Sequence, residues 1–181
     1  MKCFVDMDGV VADFVKAVHK AHNRPYAYND PKNMGVFEIE KIWGISIKEF
    51  WKYDGHDFWA MVEKTPEADD IVKMVCDYFD KENIVFLTAP SNSGGCYTGK
   101  REWLKTNFPD LRDSVIFAPG RTKHFLARPG AVLIDDRNEN ADDFVYHGGQ
   151  AILVPRDWNR LYYNKDVLYA IRVGLENLQR F

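Results

Sequence analysis

Two carboxylates, Asp6 and Asp8, stand one residue apart at the end of the apolar run Cys-Phe-Val, with Gly9 directly after them. In an extended strand residues i and i+2 point the same way, so both side chains leave the strand end together. Gly9 lets the backbone turn sharply there. Like charges this close repel unless a cation or a proton separates them. The pattern points to a metal-dependent site that handles phosphate or another anion. Two further apolar runs end in polar groups: Ile-Val-Phe-Leu in Thr88, and Ala-Val-Leu-Ile in Asp135 and Asp136.

These groups need elements to position them. Short apolar runs predict strands at 2–6, 84–88, 115–117, 131–136 and 151–154. Helical spacing of Val11, Phe14, Val15 and Val18 predicts a helix from Val10 to about His22. Further helices are expected at 46–52, 57–63, after Pro66 (with Ile71, Val72 and Val75 inward), and at 97–106, 138–146 and 166–179. Strands alternating with helices imply an α/β fold: a Rossmann-like three-layer sandwich on a central parallel sheet. Parallel strands finish on one edge, and ligands bind beyond that edge. Asp6, Asp8, Thr88, Asp135 and Asp136 should therefore converge. Residues 17–66 differ: they carry prolines and many aromatics without strand alternation. They are expected to form a small helical cap inserted after the first helix, on a core of 1–16 and 67–181.

The 181 residues suffice for one well-buried domain with a small insertion. A net charge of −3 argues against wide binding to a nucleic acid polymer. No apolar stretch reaches membrane-spanning length, and no secretory leader is expected. Three scattered cysteines, Cys3, Cys76 and Cys96, suit a reducing, cytoplasmic compartment. The five histidines show no metal spacing and read as surface or helix-cap residues. Trp158, Tyr162 and Tyr163 are expected to pack the last helix.

At this point the chain resembles the haloacid-dehalogenase-like (HAD) phosphohydrolases. Their four motifs read here, in the family's order, as Asp6-Met-Asp8-Gly9-Val-Val, Leu87-Thr88, Lys123, and Leu-Ile-Asp135-Asp136. The resemblance implies the HAD fold and a mechanism. Asp6 would be the nucleophile, forming an aspartyl-phosphate. Asp8 would protonate the leaving alkoxide and then deprotonate the attacking water. Mg²⁺ would be held by Asp6, the Asp8 backbone carbonyl and the Asp135/Asp136 pair, with Asp136 favoured and both kept. Thr88 and Lys123 would bind the phosphoryl oxygens. A receiver domain uses similar groups, but there the lysine comes last and no 40-odd residues follow the first helix.

Within the superfamily the chain resembles the 5′(3′)-deoxyribonucleotidases. The resemblance rests on Asp6-Met-Asp8-Gly-Val-Val-Ala-Asp13-Phe14, on Phe58-Trp59-Ala-Met-Val-Glu-Lys-Thr-Pro66, and on Lys100-Arg-Glu-Trp103-Leu with Asp135-Asp136-Arg137. It departs at Ala89, where that group has a hydroxyl, and at Gly120-Arg121-Thr122-Lys123. It implies a deoxyribonucleoside monophosphate as the small-molecule substrate, with Lys100 and Arg137 as further phosphate contacts. Phe14, Trp43, Phe50, Trp51, Phe58 and Trp59 are candidate walls for the base, since flat rings stack nucleobases. A homodimer is the assembly to look for. Two other functions fit the same residues: a phosphatase of another small phosphomonoester such as a sugar phosphate, and a non-catalytic nucleotide or phosphate sensor.

Overall fold

In the computed structural model, which describes residues 1–179, five strands pair in parallel: β1 (Lys2–Val5), β2 (Ile84–Thr88), β3 (Val115–Phe117), β4 (Ala131–Asp135) and β5 (Gln150–Leu153). Their order is β3-β2-β1-β4-β5. Val5 lies opposite Phe86 on one side and Ile134 on the other. The chain moves outward from β1 through β2 to β3, then returns across β1 to lay down β4 and β5. The winding therefore reverses between β1 and β4, where an open α/β sheet has its binding crevice.

Alternation along the strands sends side chains to two covered faces. Cys3, Val5, Phe86, Val132 and Ile134 pack with Ile71 and Val75 of α5 (Ala68–Tyr78), Trp103 and Leu104 of α6 (Gly94–Asn107), and Ile171 of α8 (Val167–Glu176). Phe4, Leu87 and Leu133 pack on the other face with Phe144 of α7 (Asn138–Tyr146). Each such side chain stabilises the fold by about 1.5–3 kcal/mol on full burial, and Leu133→Ala would cost about 2–5 kcal/mol.

The first helix, α1, spans Phe14–Ala21, four residues shorter at its start than its apolar spacing predicts. The Met7 carbonyl accepts from the amides of Val10, Val11 and Ala12, which winds residues 7–12 into a tight turn. Asp13 then caps the helix, its carboxylate accepting from Lys16 N. Between α1 and α5 lie two 3-10 turns and three helices of four or five residues: α2 (Ile39–Trp43), α3 (Ile47–Phe50) and α4 (His56–Ala60). The sequence predicted the last two with longer bounds and did not predict α2. Tyr28, Ile39 and Phe50 of this segment bury against Val15 and Val18 of α1 and against Trp158.

His19 is not a surface residue. It is buried, with Nδ1 at 2.6 Å from the Val15 carbonyl and Nε2 accepting from Ala27 N at 3.0 Å. Cys3, Cys76 and Cys96 are all free thiols. Among the described residues no helix is long and apolar enough to cross a membrane.

Candidate active site

The polar strand ends meet at one edge of the sheet. Asp6 follows β1, Asp135 ends β4, and Asp136 follows it; all three are buried and offer carboxylate oxygens within 4.8 Å of one another. Gly9 makes the approach possible. Its φ is +72°, and a Cβ there would overlap Asp136 Oδ2 and stand 2.9 Å from the Trp158 ring. Both the left-handed backbone and the absent side chain are required.

Lys123 enters from a 3-10 segment, Gly120–Leu126, and is almost wholly buried. Its Nζ lies 2.7 Å from Asp6 Oδ2 and 2.8 Å from Asp135 Oδ2. Burial works against the ammonium, but Asp135 and Asp6 more than offset it and hold the lysine pKa above its ordinary value. Asp135 is saturated: beyond Lys123 it accepts from Asn140 Nδ2 with both oxygens at 3.1 Å and from Arg137 N at 2.9 Å. Asp136 Oδ2 accepts from Trp158 Nε1, whereas its other oxygen makes no hydrogen bond among the described residues. Burial, then repulsion from Asp135, pushes the Asp136 carboxyl up to about 7. Asp6 is raised as well, by burial first, with Lys123 opposing the rise and Asp135 adding to it. The cluster thus carries more negative charge than its one lysine balances, which is the condition a hard cation with oxygen ligands relieves.

Asp8 faces a different partner. Its Oδ2 is 2.5 Å from Lys100 Nζ, on fully buried Lys100 of α6. Lys100 also donates to Thr88 Oγ1 at 2.7 Å and to the Ala89 carbonyl at 2.8 Å, so all three ammonium protons are used. The indole of Trp59, on α4, lies under the same ammonium at 4.3 Å. Two glycines let α4 come this close. A Cβ on Gly95 would overlap His56 N, and one on Gly99 would overlap the His56 carbonyl.

Above the carboxylates opens a cavity of about 480 Å³, within the range of small-molecule sites. Phe14, Phe50 and Trp51 line it, with Trp51 at 5.8 Å from Phe14, ring centre to ring centre. Trp59 also lines it, but it is only 3% exposed and has Phe14 stacked on it at 5.3 Å. Two predicted walls lie elsewhere. Trp43 packs with His19, His22 and Phe50 beneath Arg24, and Phe58 faces a separate surface cavity beside Lys16 and Met61. Helices of four or five residues show too little periodicity to reveal which ring faces inward.

Arg137 lines the cavity too, its guanidinium 4.4 Å from the Phe37 ring. Phe37, Asn140 and Trp158 were not anticipated at the site. Trp158 does not serve the last helix: it lies over the site, bonded to Asp136 and 5.9 Å from the Tyr28 ring. Tyr162 and Tyr163 are exposed. Asn140 had a usable signal, a polar side chain in the first turn of a helix that follows a strand-end acid. Phe37 and Trp158 had none, because only the folded chain brings them near.

Residues 1–167 match the model of the family described as 5′ nucleotidase, deoxy (Pyrimidine), cytosolic type C protein. A comparison with curated proteins finds no match. Among solved structures, a phosphonoacetaldehyde hydrolase-like protein from Oleispira antarctica gives a TM-score of 0.51 at 12% identity, covering 97% of this chain and 82% of the other. That is a likeness of fold. The magnesium-bound HAD-hydrolase YfnB of Bacillus subtilis gives a TM-score of 0.49 at 11% identity, covering 84% of this chain and 87% of that one.

Proposed function

The chain belongs to the 5′-nucleotidase, deoxy (pyrimidine), cytosolic type C family of phosphoric monoester hydrolases, and from that premise we propose that it removes phosphate from deoxyribonucleoside monophosphates in the cytoplasm, through an aspartyl-phosphate on Asp6. One observation carries the reading. Asp6, Asp8, Thr88, Lys123, Asp135 and Asp136 arrive from separate segments at one sheet edge, beneath a cavity walled by Phe14 and Trp51.

Asp6 is the nucleophile: one carboxylate oxygen attacks phosphorus while Lys123 and the Met7 amide steady the group. Asp8 accepts from Lys100 with Oδ2; to act as the acid it enters the reaction protonated on its other oxygen, gives that proton to the leaving alkoxide, and recovers one from the water that attacks the aspartyl-phosphate. Thr88, Lys123 and Arg137 receive the phosphoryl oxygens and their developing charge, and Lys100 joins them by exchanging one of its three present partners for a phosphoryl oxygen. The acidic cluster suits Mg²⁺, with Asp6, Asp136 and the Asp8 carbonyl as ligands. The free oxygen of Asp136 supports this choice, and the saturated Asp135 is better read as the group that holds Lys123. When bound, the cation offsets charge on the carboxylates and on the phosphoryl oxygens. Residues 17–66 act as a cap on the core, excluding water, and Trp51 of the cap joins Phe14 in an apolar wall against which a base packs.

Phosphate release with and without Mg²⁺, across deoxynucleotides, ribonucleotides and sugar phosphates, tests the proposal, with Asp6→Asn protein as the blank. Mg²⁺-dependent release favouring deoxynucleotides is expected. Activity confined to sugar phosphates would keep the chemistry and remove the nucleotide. Phosphate binding without turnover on any substrate would leave a sensor.

A further inference from the structure

The rings of the helical segment meet cations at two places on the cavity wall. Trp59 lies under Lys100, and Phe37 lies under Arg137, at 4.3 Å and 4.4 Å. The two cations differ in what they have free. Lys100 spends its three protons on Asp8, Thr88 and Ala89. Arg137 spends only Nε, on Glu139 at 3.0 Å; its two Nη groups make no hydrogen bond among the described residues. Its Nη1 also comes near Gly120, at 3.8 Å from where a Cβ would be, beside the segment that carries Lys123.

We propose that Phe37 is a positioning residue for the phosphoryl group: its ring holds the Arg137 guanidinium at the cavity wall, with the Nη pair left for a phosphate. The proposal rests on the phosphatase reading above.

An arginine side chain is long and loses much rotamer freedom when it is fixed. A planar guanidinium stacks well on an aromatic face, and its fork matches two phosphate oxygens at once. Phe37 packs against the guanidinium at 4.4 Å and Glu139 holds Nε, so the fork is set before a ligand arrives. Arg137 is 35% exposed at its side chain, so without the ring it would sample solvent. Phe37 precedes α2, so the same contact ties that part of the helical segment to the loop after Asp136. In this arrangement Phe37 acts through Arg137 and does not touch the substrate.

Binding of inorganic phosphate in the presence of Mg²⁺, measured by titration calorimetry, reads this without needing turnover. Phe37→Leu should weaken phosphate binding by about threefold, the scale of a partly exposed cation–π contact. Phe37→Tyr should retain wild-type binding. In an Arg137→Leu background, Phe37→Leu should have no further effect, which separates positioning from general loosening. Phe37→Met replaces Phe37→Leu if the latter unfolds. Unchanged binding in Phe37→Leu, or a loss that persists without Arg137, would overturn the inference. Wild-type protein that binds no phosphate and releases none would overturn the phosphatase reading itself.

Discussion

Lys123 and Asp6 form a buried ion pair at 2.7 Å, although most of the chain separates them in sequence. The same ammonium holds Asp135. Removing it would leave two buried carboxylates without their cation, beside a third. Breaking a buried pair from one side costs about 3–5 kcal/mol. Lys123→Met should therefore lower the melting temperature sharply without metal, and Mg²⁺ should restore part of it. Phosphatase activity should fall at least roughly 100-fold, as for loss of an electrostatic stabiliser. An unchanged metal-free melting temperature would contradict this assignment.

Metal binding should release protons. The Asp136 carboxyl is raised to about 7 and Asp6 is raised too, so below that pH the empty site holds protons that a cation must displace. The sign follows: affinity for Mg²⁺ rises with pH as these carboxyls give up their protons. Calorimetry in two buffers of different ionisation enthalpy counts the protons released. No buffer dependence at pH 6 would mean that these carboxyls are already ionised.

His19 makes the opposite kind of contribution. Its ring is buried, and burial lowers its pKa below the ordinary histidine value. Folding thus favours the neutral ring, and the stability this confers is present above about pH 6.5 and lost as pH falls toward the lowered value. His19→Leu removes the acceptor for Ala27 N and should cost about 1–3 kcal/mol at pH 8. The gap between wild type and variant should narrow below about pH 6.5. Denaturant melts at several pH values check it, and a constant gap would refute it.

At Gly99 two effects compete. Alanine in a helix interior is ordinarily worth about 1 kcal/mol over glycine. Here the new Cβ would overlap the His56 carbonyl and stand 2.7 Å from Trp59 Cβ. Overpacking of this kind costs about 1–3 kcal/mol, and the contact is backbone, which yields little. Gly99→Ala should therefore destabilise the protein. Activity should also fall, because α4 carries Trp59 and α6 carries the adjacent Lys100. A stabilised Gly99→Ala variant would show that α4 is free to move away.

Much of this site could be read before folding because it sits at strand ends. Asp6, Thr88, Asp135 and Asp136 each close an apolar run, and parallel strands bring such ends together. The start of α1 could not be read, because the Met7 carbonyl takes three amides that apolar spacing assigned to the helix. Trp158 could not be placed either: nothing near it in sequence points to Asp136, and its neighbourhood favoured the last helix. Phe37 and Arg137 lie a hundred residues apart, and only the docking of the helical segment makes them meet. Thr88 and Lys123 were both expected to bind phosphoryl oxygens, and the sequence did not show that the Thr88 hydroxyl also accepts from Lys100.

The most direct test of the account is to quench the enzyme with acid during turnover of a deoxyribonucleoside monophosphate with Mg²⁺, and to sequence the phosphorylated peptide by mass spectrometry. Phosphate on Asp6, absent from Asp6→Asn protein that also fails to turn over, is the predicted result. Turnover by Asp6→Asn protein, or a phosphate carried on any other residue, would contradict it.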